Sequence, residues 1–451
     1  MHNFVFRRIA QLRQNYWFWP STMTFGAVVL GFLLPFLDAQ IGSDWIRAVS
    51  FIRTTEVDGA RAILTTLAGA TLGVAGVAFS VTIVAVSFAS SNYGPRLIGN
   101  FMADRKNQIV LGIFVATFVY CITVLKAVHE STDTAGSTLD AFVPQLSVFF
   151  ALLLTLAAVG ALIAYIHHIP ESINIMNLTA GIGGKLQRAI TRMLDNEDHS
   201  AHDDRPRVDI EAGPTRPSCE GQQIIRARTA GFLQQFDIKG LATIARENGT
   251  RISLHRGVGD FLVAGEMIIS AGPDTDGVGS IADQMRDCYT QGANRTDAQD
   301  VLFLSDQLGE VLGRALSPGV NDPQTAMLCL NWLRAGLVVF AGREPAQQPR
   351  SSDLVIYRRV TFEDMLNRSF DEMRQYVAAD RTATLHALTV LADIALAASR
   401  ERMVCACVGQ MRGLAASAQE LLQESIARDE VRAELNRSLA SITARAGAPC
   451  G

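Results

Sequence analysis

Apolar residues collect into four long runs in the first part of the chain, at 18–37, 62–90, 109–125 and 143–166, and no Asp, Glu, Lys or Arg interrupts any of them. A helix needs about 20 apolar residues to cross the hydrocarbon core of a bilayer, with about 17 as the lower limit. Three runs meet that requirement and the third sits at the limit, so the pattern predicts four membrane-spanning helices. Beyond residue 170 the pattern changes. Residues 172–195 read as an amphipathic helix, 196–221 as a polar linker, and 222–272 as short strands separated by Gly-containing turns. Helical periodicity returns after residue 274, with Val301, Leu304, Leu308, Val311, Leu312 and Leu316 sharing one face. The expected organisation is a membrane domain at 1–170, a helix and linker at 171–221, a small β-rich subdomain at 222–275 and a mainly helical subdomain at 276–451. The fold class is therefore an α-helical membrane domain followed by a cytoplasmic α+β domain, with a small β-barrel or sandwich and a helical bundle.

The second run carries an unusual repeat of small residues. Thr66, Gly73, Ser80, Ser87 and Gly94 stand seven apart, and Gly69, Gly76 and Ser90 each follow one of that set by three. On a helix they define one face: Thr66, Gly69, Gly73, Gly76, Ser80, Ser87, Ser90 and Ser91. Ala68, Thr71, Ala75, Ala78, Thr82, Ala85 and Ala89 lie nearly opposite, and bulky residues form the two stripes between. Small residues let membrane helices approach closely, so a helix thin on two faces is expected to be central and packed on both. The alternative role for the hydroxyl face is the wall of an ion path in a homo-oligomer, where hydroxyls and carbonyls replace part of an ion's hydration. At about 1.5 Å per residue the run is about 43 Å long. That exceeds the hydrocarbon core, so it tilts or extends into the cytoplasm. Gly94-Pro95 should end it.

Short local patterns organise the rest. Thr250–His255 alternates between apolar and polar residues, and the cadence from Gly257 to Ile268 resembles the lipoyl/biotinyl-type barrel without its acceptor lysine. A helix is expected at about 238–248 and a strand at 354–360. Thr361-Phe362-Glu363-Asp364 reads as a capping box with Asp as the shorter partner. Between two helices stands Arg314-Ala315-Leu316-Ser317-Pro318-Gly319-Val320-Asn321-Asp322-Pro323-Gln324-Thr325-Ala326. Ser317, Asn321, Asp322 and Thr325 there form a candidate ligand loop at a helix N-terminus. Each of them is equally explained by stopping one helix and capping the next.

Composition sharpens the picture only in places. The 451 residues are 49% hydrophobic and 19% charged, with mean hydropathy +0.19. Basic residues cluster before the first run (Arg7, Arg8, Arg13), after the second (Arg96, Arg105, Lys106) and after the fourth (Lys185, Arg188, Arg192). Such clusters favour the cytoplasmic side. With an even number of spans, both termini are expected in the cytoplasm of a multi-pass protein of the bacterial inner membrane. A net charge of −4 gives no support for nucleic-acid binding. The uncharged membrane interior argues against a proton-coupled carrier. His167-His168 closes the fourth run and is a candidate proton-sensitive pair or an interfacial one. The seven cysteines lack zinc spacing, and the nucleophile, zincin and dinucleotide motifs are absent. No enzyme activity and no cofactor are expected.

Four stretches together resemble a bacterial family of predicted inner-membrane proteins of unknown function. They are Ser91-Asn92-Tyr93-Gly94-Pro95-Arg96, Gly259-Asp260-Phe261, the Ala315–Ala326 segment and Val360-Thr361-Phe362-Glu363-Asp364. The resemblance implies four membrane helices and a cytoplasmic domain, and transfers no activity. The residues themselves point to a homo-oligomeric ion channel or pore with a cytoplasmic regulatory domain. The alternative is a membrane-anchored sensor or scaffold whose cytoplasmic domain binds a small ligand or a protein.

Overall fold

A computed structural model describes residues 17–41, 56–94, 104–129, 132–134, 137–139, 142–200, 222–273, 278–343 and 354–446. The chain divides into two compact units, Met1–Asn174 and Ile175–Gly451. Arg7, Arg8, Arg13, Pro95, Arg96 and the linker residues 201–221 lie outside the described residues.

The first unit is built from α1 (Phe18–Ile41), α2 (Val57–Tyr93), α3 (Arg105–Leu125) and α4 (Gln145–Ile173), with a short hairpin, β1 (Thr132–Thr134) and β2 (Ser137–Leu139), before α4. Helix α2 ends at Tyr93, where Gly94 takes φ 123°, a conformation open to glycine. Ala75, Ala78 and Ala85 of α2 share a core with Val110, Leu111 and Phe114 of α3 and with Ala158, Ala161 and Tyr165 of α4. The Thr82 hydroxyl meets the Tyr165 hydroxyl at 2.7 Å, and Tyr165 also donates to the Ala78 carbonyl. Such bonds satisfy polar groups where water is absent. Helices α1 and α3 cross at two other glycines. A Cβ on Gly31 would stand 2.7 Å from Thr123 Cβ, and one on Gly112 would stand 2.6 Å from Met23 Sδ.

Helix α4 begins without a side-chain cap of its own, because Pro144 precedes it. Asp38, one residue beyond the first apolar run, lies in the last turn of α1 and supplies the cap. Its carboxylate accepts from the Leu146 and Ser147 amides at 3.1 and 3.0 Å and from the Ser147 hydroxyl at 2.8 Å. The orphan donors and the positive end of α4 thus meet a negative charge.

The second unit opens with α5 (Ile175–Ser200), which runs past the expected helix end at residue 195. Its β part comprises β3 (Gln222–Arg226), β4 (Gly231–Phe236), α6 (Ile238–Glu247), β5 (Ile252–Leu254), β6 (Phe261–Leu262), β7 (Met267–Pro273), α7 (Val278–Arg286) and β8 (Tyr289–Gly292). The strands form two small sheets, β3-β7-β5-β9 and β6-β4-β8, where β9 is Val355–Ile356. Their pairs are antiparallel except β5 with β9, in which Ile252 stands opposite Val355. Both sheets and α6 share one core containing Ile225, Leu233, Phe236, Leu241, Ile252 and Ile269. Strand β8 falls within the segment expected to be mainly helical. It has no apolar alternation of its own and is held by its pairing with β4.

The helical part contains α8 (Val301–Ala315), α9 (Pro323–Gly342), α10 (Phe362–Phe370), α11 (Arg374–Ala379), α12 (Arg381–Ala397), α13 (Glu401–Leu421) and α14 (Ser425–Ala446). The expected capping box is present: the Asp364 amide donates to Thr361 Oγ1 at 3.1 Å, and the Thr361 amide to Asp364 Oδ2 at 3.0 Å. The β and helical parts are joined by a buried ion network. Arg295 donates to Asp300 at 2.8 Å and to Asp306 at 2.5 Å, and Arg368 also grips Asp306. Gly259 fits beside it at φ 95°, where a Cβ would overlap the Asp300 carboxylate. Among the described residues, five helices are long and apolar enough to cross a membrane, rather than four: α1, α2, α3, α4 and α9. Helix α9 is apolar for a second reason, since Leu330, Leu333, Leu337 and Phe340 are fully buried within its unit.

Two outcomes follow from the packing of the first unit. Gly112→Leu should destabilise the protein by about 1–3 kcal/mol through overpacking, whereas Gly73→Leu, with open space at its Cβ position, should change stability by less than about 0.5 kcal/mol. Thermal unfolding in detergent distinguishes them. Asp38→Ala should remove about 1–2 kcal/mol and accelerate hydrogen exchange at the Leu146 and Ser147 amides while leaving the middle of α4 protected.

Candidate functional sites in the two units

Helix α2 has two thin faces, and the protomer packs only one. Ala68, Thr71, Ala75, Ala78, Thr82, Ala85 and Ala89 are buried. On the opposite face Thr66, Gly69, Gly73, Gly76, Ser80, Ser87 and Ser91 are exposed and Ser90 is half-buried. A Cβ built on Gly69, Gly73 or Gly76 would meet nothing within 4 Å. The expected close packing on both faces is therefore corrected: within the protomer it holds for the alanine face alone. Thr66 donates to the Ala62 carbonyl at 2.7 Å and Ser91 to the Ser87 carbonyl at 2.9 Å, which satisfies them inside the helix. The Ser80 and Ser87 hydroxyls engage no hydrogen bond among the described residues.

At the end of α4, the two histidines part company. His168 Nε2 reaches the Asp104 carboxylate, which also caps α3 by accepting from the Lys106 amide at 2.9 Å. His167 faces Glu171 at 3.3 Å and is exposed.

In the second unit, Ser317, Asn321, Asp322 and Thr325 come together in one turn between α8 and α9. Their polar groups are largely committed to that turn. Ser317 Oγ donates to the Arg314 carbonyl at 2.6 Å, and Asp322 accepts from the Thr325 amide at 3.1 Å and hydroxyl at 2.6 Å. Asn321 occupies the left-handed region at φ 49°, which Asn tolerates better than most residues. Pro323 opens α9 directly after the Asp322 cap.

A cavity of 790 Å³ lies elsewhere in this unit, and none of the sequence-predicted site residues lines it. One wall is α5, with Lys185, Arg188 and Arg192. The others come from Phe236 and Ile238 where β4 meets α6, the turn at Arg256, residues 297–304 leading into α8, and the segment Tyr357–Val360. Six basic side chains face it, against the acids Asp297 and Asp300. Most of that charge is matched. Lys185 pairs with Asp297 at 2.8 Å, Arg358 with Asp364 at 2.7 Å, and Arg256 with Glu266. Asp300 pairs with Arg295, although burial still pushes its carboxyl above the usual range. The Arg359 guanidinium stands 5.5 Å from the centre of the Tyr357 ring. Arg188 and Arg192 are exposed and form no ion pair among the described residues.

One sequence signal pointed this way: Lys185, Arg188 and Arg192 recur at intervals of three and four, one face of a helix. Their positive charge also fits the membrane-topology rule, which masks the local arrangement. The remaining walls come from residues between Phe236 and Val360, far along the chain from α5, a juxtaposition made by the fold. Among the described residues no group of three or more His, Cys, Asp and Glu is placed to hold a metal ion.

Comparison with known proteins gives the chain a family but no activity. It is 28% identical over 353 residues to an uncharacterized protein of Mycobacterium bovis and, to the same degree, to one of Mycobacterium tuberculosis. These alignments cover 76% of this chain and 65% of each relative, so the chain spans less than two thirds of their length. No solved structure matches it. The model of the predicted membrane protein family DUF2254 matches residues 13–393, and the chain belongs to that family.

Proposed function

We propose that this membrane protein is a homo-oligomeric ion channel or pore of the bacterial inner membrane, carrying a cytoplasmic regulatory domain. The observation that carries the reading is the outward face of α2. Three glycines with open space beside them and two hydroxyls without partners stand on one exposed stripe. In hydrocarbon an unsatisfied hydroxyl is unfavourable by about 1–3 kcal/mol, so Ser80 and Ser87 favour an environment of water, ions or a second helix. Copies of α2 meeting around an axis would supply it. The chain from residue 62 to 95 contains no charged side chain, which suits passive conduction better than proton coupling.

In this reading α1 to α4 span the bilayer, both termini are cytoplasmic, and α9 is a core helix. The alternative of a sensor or scaffold acting through the Ser317–Ala326 turn has weaker support, because Ser317, Asp322 and Thr325 already hold local hydrogen bonds. The reading requires no catalysis.

Purified protein in liposomes should release an entrapped monovalent ion, and Ser80→Leu or Gly73→Leu should reduce that flux by at least about tenfold while the protein stays folded. A strictly monomeric particle that gives no flux overturns the proposal. Flux unchanged in both variants places any path away from this face and overturns it equally.

A further inference from the structure

The cavity of the second unit has a charge arrangement that neither the family description nor the pore reading accounts for. Arg188 and Arg192 are one helical turn apart on α5, so their side chains are neighbours. Like charges at that spacing are mutually destabilising without an anion between them. Each other charged group lining the cavity has an interaction of its own: Lys185 with Asp297, Arg256 with Glu266, Arg358 with Asp364, Asp300 with Arg295, and Arg359 with the Tyr357 ring. The unmatched charge at this cavity is therefore positive and resides on the two arginines of α5. A guanidinium presents a planar fork of donors that fits phosphate oxygens two at a time.

The rest of the cavity describes what the phosphate is attached to. At 790 Å³ it is much larger than a phosphate and lies within the range of small-molecule sites. Phe236, Leu254, Val258 and Leu304 give it an apolar side, and Tyr357 presents a ring with the Arg359 guanidinium close by. A flat aromatic body can lie against such a surface, stacking on the tyrosine or on the guanidinium plane. Its phosphates would then reach the arginines.

We infer that this cavity binds a phosphorylated small molecule with an aromatic ring, of the nucleotide class, through Arg188 and Arg192. The inference does not rest on the pore reading, and its test involves no flux.

The full chain in detergent is titrated calorimetrically with adenine, guanine and pyrimidine nucleotides, inorganic triphosphate, adenosine and a short-chain phosphatidic acid. At least one nucleotide should bind, with inorganic triphosphate and adenosine each weaker by about tenfold or more. Affinity should fall as salt rises. Arg188→Glu with Arg192→Glu, at two exposed positions, should weaken nucleotide binding by about 100-fold, with an unchanged unfolding midpoint in the absence of ligand. Four results would each overturn the inference: no nucleotide binds, triphosphate alone binds as well as any nucleotide, phosphatidic acid binds more tightly than all of them, or the double variant binds as the parent does.

Discussion

Close packing of the alanine face of α2 is the interaction on which the membrane unit depends. Ala75, Ala78 and Ala85 bring α2 close to α3 and α4, and only then does the Thr82 hydroxyl reach Tyr165. Larger residues along that stripe would separate the helices and break the hydroxyl contact. Once the alanine face is turned inward, helical geometry turns Gly69, Gly73, Gly76, Ser80 and Ser87 outward. The outward face is thus not an independent choice of the fold. It follows from which of two similar faces the protomer uses.

The sequence made both faces legible and left their assignment open. Small residues at helical spacing mark where another helix can approach, but glycine and alanine serve that purpose alike. What decides between them is the partner surface. The glycines that the protomer does use at this crossing, Gly31 and Gly112, meet Thr123 and Met23; Gly112 is the single glycine of α3, and Gly31 shares α1 with Gly26, whose Cβ position is open. Neither glycine belongs to a sustained repeat of the kind that marks α2, so the α1–α3 crossing did not stand out in the sequence pattern. Asp38 escaped for a related reason. A charged residue just beyond an apolar run reads as loop, and its capping role depends on α4 beginning more than 100 residues later.

The same distinction runs through the second unit. Helix starts at Pro323 and Phe362, the helix after Asp237 and the end of α2 at Gly94 were all readable, because each rests on a few adjacent residues. Strands β8 and β9 were harder. Residues 354–360 read as one strand, yet only Val355–Ile356 pairs, since β5 offers a short edge and the chain then turns toward the Thr361 cap. Helix α9 shows the opposite ambiguity. Burial of one face, with Leu330, Leu333, Leu337 and Phe340 inside the unit, calls for apolar residues just as a membrane span does, so hydropathy alone does not separate the two.

The stretches that carry the family resemblance divide in an informative way. Gly259 sits at positive φ against a buried carboxylate, Asp322 caps α9, and Thr361 with Asp364 caps α10. All of these fix the course of the backbone. None of the three touches the two unmatched arginines of the cavity, whose α5 positions carry no comparable geometric demand. Arg188 and Arg192 are exposed, and a helix surface there would accept many other polar residues. An element that needs no arginine for its own stability, yet carries two like charges one turn apart on a cavity wall, is arranged for something outside the chain. Short recurrent patterns locate turns and caps, whereas a binding surface assembled from distant segments is found by following the charge that the fold itself leaves unmatched.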